Sequence, residues 1–148
     1  MATFFRPGML RYKYLRRFMY KEGIKFYRCN TCGNLFLVMI DPSVRPTCCG
    51  TEMEILDSDH HTHEGSEKHL PIIELNEDHT LVKVGLQLHP MSAQHRIEWI
   101  ALTDGENVEV RKLGLTTPPV VRFSKMKSDG KIHAYAFCNV HGLWESEK

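Results

Sequence analysis

The sequence lacks any long apolar run. No stretch approaches the roughly 18 apolar residues that a membrane-spanning helix needs, and no hydrophobic segment of a secretory signal is visible. An excess of charge of one sign is also missing, because the formal net charge of the 148 residues is +1. Nucleic-acid binding usually needs a concentrated basic face. We therefore expect a soluble cytoplasmic protein that binds neither membranes nor nucleic acid.

Helical periodicity is almost absent too. From residue 70 onward, short apolar segments alternate with turn residues, which is typical of antiparallel β-sandwiches of the immunoglobulin-like class. An all-β fold is therefore expected. The predicted strands are Leu70–Leu75, Thr80–Leu86, His95–Leu102, Asn107–Leu113, Pro119–Phe123 and Lys131–Cys138.

Cysteine is scarce but concentrated. Four of the five cysteines lie between positions 29 and 49, as Cys29-x-x-Cys32-Gly33 and the adjacent pair Cys48 and Cys49. Four thiolates form a closed tetrahedral site for iron or zinc, and the spacing leaves both metals open. Neighbouring side chains on a strand point to opposite faces. The adjacent pair therefore requires a sharp turn, and we expect a distorted tetrahedron.

Between the two cysteine pairs, the apolar segment Leu35–Ile40 predicts a buried strand that ends at Asp41-Pro42-Ser43. A module of about 35 residues is too small to fold on apolar burial alone. The bound metal is therefore expected to contribute directly to its stability.

The fifth cysteine lies near the C-terminus, in Cys138-Asn139-Val140-His141. Together with three histidines upstream, this motif predicts one metal centre assembled from several loops. Imidazoles with a single thiolate suit a redox metal. Five protein ligands leave one corner of the coordination sphere open, whereas a structural zinc site is normally closed by four. The predicted set is His69, His89, His95, Cys138 and His141.

The remaining histidines are not expected to be ligands. His60, His61 and His63 lie in a polar connector without strand patterning, so they are interpreted as solvated loop residues. His79 falls in a predicted turn. His133 alternates to the face opposite Cys138 along its predicted strand.

The division of the chain follows these motifs. Residues 1–23 hold six basic residues and one acidic residue, and they are predicted to form a basic N-terminal extension outside the fold. We interpret the extension as a targeting segment, an arm for an acidic partner, or sequence upstream of a translation start at Met19. Residues 24–57 are predicted to form the four-cysteine module, residues 58–66 the linker and residues 67–148 the sandwich domain.

Together, these motifs resemble those of desulfoferrodoxin, the two-iron form of superoxide reductase, from about residue 26 to the C-terminus. The resemblance implies a desulforedoxin-like or rubredoxin-like N-terminal metal module and a neelaredoxin-like sandwich domain. The matching segments are Cys29-x-x-Cys32-Gly33, Cys48-Cys49-Gly50, Glu67-Lys68-His69, His89-Pro90-Met91, His95 with Trp99, and Cys138 to Trp144.

The resemblance also implies a role for each motif. The four cysteines would hold one iron, with zinc as the other possible metal. Glu67 and Lys68 would lie on a loop over the open face of a second iron, where Glu67 can fill the vacant position in the oxidised state and Lys68 attracts superoxide. That second iron would have Cys138 as its axial ligand and four equatorial ligands, His69, His89, His95 and His141.

The implied reaction is the one-electron reduction of superoxide to hydrogen peroxide, which detoxifies superoxide under oxidative stress. A rubredoxin-type protein would supply the electrons, and the chain would form a homodimer. Three alternatives stay open. They are a superoxide dismutase, which the electron-rich thiolate disfavours, a zinc- or iron-stapled binding module without redox chemistry, and a four-thiolate electron carrier whose second domain only docks partners.

Overall fold

The computed structural model describes residues 23–39, 44–58, 65–127 and 130–148. These ranges contain twelve strands and one helix of a single turn, and all the strand pairs are antiparallel, so the all-β prediction is confirmed. The elements are β1 (Lys25–Arg28), β2 (Leu35–Val38), β3 (Thr47–Cys48), β4 (Thr51–Glu52), β5 (Glu54–Ile55), α1 (Ser66–His69), β6 (Pro71–Leu75), β7 (His79–Val84), β8 (Ile97–Thr103), β9 (Val108–Lys112), β10 (Val120–Ser124), β11 (His133–Cys138) and β12 (Gly142–Glu147).

Seven of these strands form two sheets that pack face to face. One sheet has the order β10-β7-β6 and the other β12-β11-β8-β9. Strand β7 shows why they pack, because Thr80, Val82 and Val84 alternate inward and are buried while their neighbours are half-exposed. The predicted sandwich is therefore present. Its seventh strand, β12, was missed, because the sequence motif there was interpreted only as metal-binding.

Strand β11 is buried at all six positions. Ala136 and Cys138 face the core between the two sheets, whereas Tyr135 and Phe137 face outward into a second cluster of buried side chains. Phe26 of β1 belongs to this second cluster and lies 4.8 Å from Trp99, between ring centroids. The four-cysteine part of the chain therefore covers the outer face of the larger sheet.

The four-cysteine part is built from two small sheets. One has the strand order β2-β1-β5, and the other pairs β3 with β4. The prediction that β2 is buried is wrong, since Leu35 and Phe36 are 37% and 42% exposed. In this small sheet, only two residues of β2 are covered. Leu37 packs against the cluster that contains Phe26, and Val38 packs against the cluster that contains Cys29. The predicted end of this strand, from Ile40 to Ser43, lies outside the described residues.

A buried polar cluster links the two parts of the chain. The hydroxyl of Tyr135 accepts the Ile24 N–H at 2.9 Å and donates to Glu145 at 3.0 Å, and Ser58 donates to the same carboxylate at 2.7 Å. Burial pushes the pKa of Glu145 upward, but hydrogen bonds from His133, Ser58 and Tyr135 outweigh burial and leave it below the ordinary value. Glu145 is therefore an ionised acceptor that holds three segments together.

Gly23 is where the chain enters this cluster. A Cβ at this position would lie 2.2 Å from the Tyr135 hydroxyl, so a larger residue would displace the buried tyrosine.

The predicted boundaries assigned position 23 to the extension and position 58 to the linker. The basic residues of positions 1–22 and the histidines His60, His61 and His63 lie outside the described residues. Among those that are described, no helix is long and apolar enough to cross a membrane.

We expect Phe26→Ala to weaken the packing between the two parts of the chain. The side chain is 3% exposed and contacts the rings of Trp99 and Tyr135, so its loss should lower the free energy of unfolding by about 3–5 kcal/mol. Chemical denaturation followed by tryptophan fluorescence measures this change. Phe36→Ala on β2 is the matched control and should change stability little. Equal effects of the two substitutions would contradict the packing described here.

Candidate metal centres

The four clustered cysteines come together at one end of the β2-β1-β5 sheet. Their sulfur atoms all lie within 4.8 Å of one another. Two of the Sγ–Sγ distances are 3.6 Å, for Cys32 to Cys48, and 3.9 Å, for Cys48 to Cys49. A tetrahedron of sulfurs with metal–sulfur bonds of about 2.3 Å has edges of about 3.8 Å. The observed spacing therefore fits a single tetrahedral metal ion.

The adjacent pair reaches one point because the backbone reverses there. Cys49 has φ 53° and Gly50 has φ 78°, two successive residues in the left-handed region. This is the sharp turn that the sequence required. A non-glycine residue adopts this conformation only when its surroundings compensate for the strain. A shared metal ion would provide such compensation at Cys49.

The protonation of these thiols is strongly uneven. Hydrogen bonding from the backbone of Cys32 lowers the pKa of Cys29 to about 6, while hydrogen bonding with the Cys32 side chain raises the pKa of Cys49 to about 12. Sulfurs this close cannot all be thiolates unless a cation lies among them. The four sulfurs therefore need a bound cation before all of them can be thiolates, as the ligands of a metal site do.

The second cluster draws on four separate segments of the sandwich. His69 ends α1, the loop between β7 and β8 carries His89 and His95, Cys138 ends β11, and His141 lies in the turn before β12. One ligand atom from each of these five residues lies within 4.8 Å of all the others. The structure thus brings together the complete set that the sequence predicted.

The four imidazoles form a closed square. Neighbouring ring centroids are 4.4–4.8 Å apart in the order His69, His89, His95, His141 and back to His69, whereas His69 and His95 are 5.9 Å apart across a diagonal. Neighbouring rings are steeply inclined, by 71–81°. Such a square suits four equatorial ligands around one ion.

The nitrogens that face the centre have no hydrogen-bond partner. The Nε2 atoms of His69, His89 and His95 are buried and unpaired, whereas the opposite nitrogens of two rings are engaged. Nδ1 of His69 lies 2.7 Å from the Gly65 carbonyl and Nδ1 of His89 lies 2.6 Å from the Pro90 carbonyl. A carbonyl only accepts, so each Nδ1 carries the proton and each Nε2 presents a lone pair.

Burial also keeps these imidazoles neutral. It lowers the pKa of His69 and His95, and it lowers the pKa of His89 to about 4. Buried polar atoms without partners are costly, and neutral imidazole is the form that binds metal. The lone pairs of His69 and His89, together with the unpaired Nε2 of His95, therefore suit a cation.

Cys138 is fully buried, and its sulfur belongs to the same group of converging donor atoms. Its Sγ is 3.6 Å from Nδ1 of His141. Burial raises the pKa of the thiol, although the backbone N–H groups of Val140 and His141 oppose the shift. The thiolate form thus requires a nearby cation. Iron accepts a thiolate together with imidazoles, so these five residues fit an iron ion.

Glu67 and Lys68 lie beside this centre on α1, in a helical turn rather than the expected loop. Both are exposed, and neither belongs to the group of converging ligand atoms. Their backbone is fixed by the following turn, where the Leu86 N–H donates to the Glu67 carbonyl at 2.8 Å. A Cβ at Gly85 would approach the Lys68 carbonyl to 2.7 Å, so this contact needs glycine.

Of the histidines predicted not to be ligands, His79 and His133 are among the described residues, and both lie outside the two clusters. His133 bonds to Glu145 at 2.9 Å and is on the outer face of β11, opposite Cys138. His79 bonds to Asp78 at 2.5 Å on the surface at the start of β7. Nδ1 of each ring thus has a carboxylate partner, although Nε2 of His133 is buried without one.

Asn139 is a residue that the sequence analysis overlooked. Its Oδ1 accepts the Arg96 N–H at 2.8 Å, its Nδ2 donates to the Gln94 carbonyl at 3.0 Å, and its own N–H donates to the Arg96 carbonyl at 3.1 Å. These bonds tie the turn between Cys138 and His141 to the loop that carries His95. In the sequence, the only indication of this role was that Asn139 lies between the predicted ligands Cys138 and His141.

Comparison with known proteins agrees with this geometry. The family model described as Desulfoferrodoxin matches residues 61–147. A desulfoferrodoxin homolog of Archaeoglobus fulgidus is 38% identical over 84% of this chain and 98% of its own length. A superoxide reductase of Pyrococcus abyssi is 39% identical over 55% of this chain and 85% of its own. The crystal structure of the superoxide reductase from Treponema pallidum has a TM-score of 0.66 and 27% identity, over 84% of this chain and 97% of that one.

We expect Asn139→Ala to weaken metal binding at the histidine–cysteine centre, because two of the three hydrogen bonds that connect the ligand-bearing loops are lost. Residues that orient metal ligands typically change metal affinity by about 10- to 100-fold. Dialysis against increasing concentrations of a chelator, followed by metal quantitation, measures the loss. Only one of the two bound metal ions should be affected. Asn76→Ala, which removes an exposed amide from the β6–β7 turn, is the control. Unchanged retention of both metals in Asn139→Ala would contradict the bridging role.

Proposed function

Because the chain belongs to the desulfoferrodoxin family, we infer that it is a superoxide reductase, which reduces superoxide by one electron to hydrogen peroxide. The observation that carries this conclusion is the convergence of four imidazoles and one buried thiol, whose five donor atoms all lie within 4.8 Å of one another. We propose His69, His89, His95 and His141 as equatorial iron ligands and Cys138 as the axial ligand.

Iron held by these five residues would supply one electron, and superoxide with that electron and two protons would give hydrogen peroxide. The imidazoles contribute neutral donors that leave the site with a net positive charge. The Cys138 thiolate donates electron density from the buried side, as thiolate ligands do in haem enzymes. This donation favours transfer of the electron to the substrate and release of peroxide.

Two exposed residues on α1 are proposed to act on the substrate. Lys68 places a positive charge next to His69, and a positive charge beside a redox site raises the local concentration of an anion such as superoxide. The Glu67 carboxylate is proposed to fill the open position in the oxidised state. Both proposals are supported by the position of Glu67 and Lys68 on the same helical turn as His69. The turn at Gly85 and Leu86 holds this helical turn in position.

The four-cysteine cluster is proposed to hold a second iron, with zinc as the other metal that its donors suit. Each turnover leaves the catalytic site oxidised, so an outside protein must return the electron, and we propose a rubredoxin-type donor.

A homodimer is supported by the exposed apolar side chains of the small module, which are Leu35, Phe36, Met39, Val44 and Ile55. None of the five cysteines forms a disulfide, which suits a reducing compartment such as the cytoplasm.

We expect Lys68→Ala to slow the second-order reaction with superoxide by roughly 10-fold at low salt, because the attracting charge is lost. The rate should also depend less on ionic strength. Pulse radiolysis at several salt concentrations measures both changes. Lys125→Ala, at the opposite end of the sandwich, should leave the rate and its salt dependence unaltered. A steep salt dependence that persists in Lys68→Ala would refute this role.

We expect Cys138→Ser to abolish superoxide reduction, because a neutral hydroxyl cannot replace thiolate electron donation. Cys48→Ser removes a sulfur from the other cluster and should preserve reduction by iron-loaded, pre-reduced protein. Single-turnover kinetics with superoxide separate the two variants. Full activity in Cys138→Ser would exclude the axial assignment, and lost activity in Cys48→Ser would mean that the four-cysteine metal takes part in the reaction itself.

A further inference from the structure

The indole of Trp144 stacks flat on one imidazole of the centre. Its ring centroid lies 4.7 Å from that of His69, and the two planes differ by 18°. Trp144 is only 4% exposed, although it lies on the outermost strand of its sheet. A buried ring in this position restricts the tilt of the imidazole that it covers.

The stack ends a row of contacts between β12 and the segment that contains α1 and β6. Alternate residues of an extended segment face the same way, and three of them, two in β12 and one directly after it, meet alternate residues of the other segment. Trp144 covers His69, Ser146 donates to the Pro71 carbonyl at 2.5 Å, and Lys148 donates to the Ile73 carbonyl at 3.1 Å. This row aligns β12 with the chain that leads away from α1.

The His69 ring is therefore fixed in two ways. The bond from Nδ1 to the Gly65 carbonyl sets which nitrogen faces the centre, and the Trp144 indole sets the plane of the ring. Strand β12 also begins directly after His141, whose ring lies 4.5 Å from that of His69. One strand thus positions two neighbouring imidazoles.

We propose that Trp144 is a positioning residue that holds the His69 imidazole in its metal-binding orientation and keeps α1, with Glu67 and Lys68, against the centre. This inference rests on the metal site proposed above. Without the indole, only the Gly65 hydrogen bond restrains the His69 ring, so part of the ordered arrangement must be formed each time a metal binds. The expected consequence is weaker binding at the histidine centre, while the four-cysteine cluster is unaffected.

The test uses Zn²⁺ as a diamagnetic probe and ¹⁵N-detected NMR of the histidine side chains, which reports on this centre and not on the cysteines. Trp144→Leu keeps an apolar side chain but removes the ring. It should weaken Zn²⁺ binding by about 10- to 100-fold, and His69 should lose its single-tautomer signal at low zinc. Trp144→Phe restores a flat ring and should stay within about threefold of the unsubstituted protein, as expected if stacking rather than bulk matters.

Trp99→Leu is the matched control for the loss of a buried tryptophan. Trp99 is 7% exposed and stacks on Phe137 rather than on an imidazole. Wild-type zinc affinity in Trp144→Leu, equal losses in both Trp144 variants, or an equal loss in Trp99→Leu would each overturn the positioning role. Failure of the unsubstituted protein to bind Zn²⁺ through its histidines would instead overturn the proposed metal site.

Discussion

Desolvation of unpaired donor atoms is the constraint on which this structure depends. Three buried imidazole nitrogens without hydrogen-bond partners lie within 4.8 Å of one another and of a fully buried thiol. Leaving such groups unpaired in a protein interior costs free energy. A cation at their common point removes this cost, because it pairs every lone pair and stabilises the thiolate. Metal binding and stability of the sandwich are therefore coupled, as they are at the smaller four-cysteine site.

The scaffold holds these donors by placing them at the ends of elements. Cys138 ends a strand whose two faces are both covered, one by the sandwich core and the other by the aromatic cluster around Phe26. The sulfur therefore lies at the end of a rigid strand on the buried side of the site. The imidazoles come from α1, from the loop between β7 and β8, and from the turn before β12. His141 is exposed, in contrast to His69 and His89. This gradient of burial matches a site whose buried side donates electrons and whose outer side receives a small anion.

The loops around the centre are themselves fixed by specific contacts. Asn139 connects the turn after Cys138 to the loop of His95, and Gly85 lets a neighbouring turn lie against the backbone of Lys68. Trp144 adds a flat surface for His69. Each contact joins segments that carry different donors, so these contacts help to set the arrangement of the five side chains. Such preorganisation is what a site needs to bind its metal tightly and to keep one coordination position free.

The amino-acid sequence alone determined the two sets of chemical groups and the fold class. The spacing of Cys29, Cys32, Cys48 and Cys49 indicates one site, and alternation along β11 assigns Cys138 and His133 to opposite faces, because both patterns are local. Tertiary structure decided the rest. The order of the four imidazoles around the square, the bridge made by Asn139 and the stacking of Trp144 on His69 depend on residues that lie far apart along the chain. The exposure of Phe36 was also decided at this level, since an apolar side chain is buried only where another segment covers it. Local periodicity reports the face that a side chain takes, whereas its neighbours are set by the packing of distant strands.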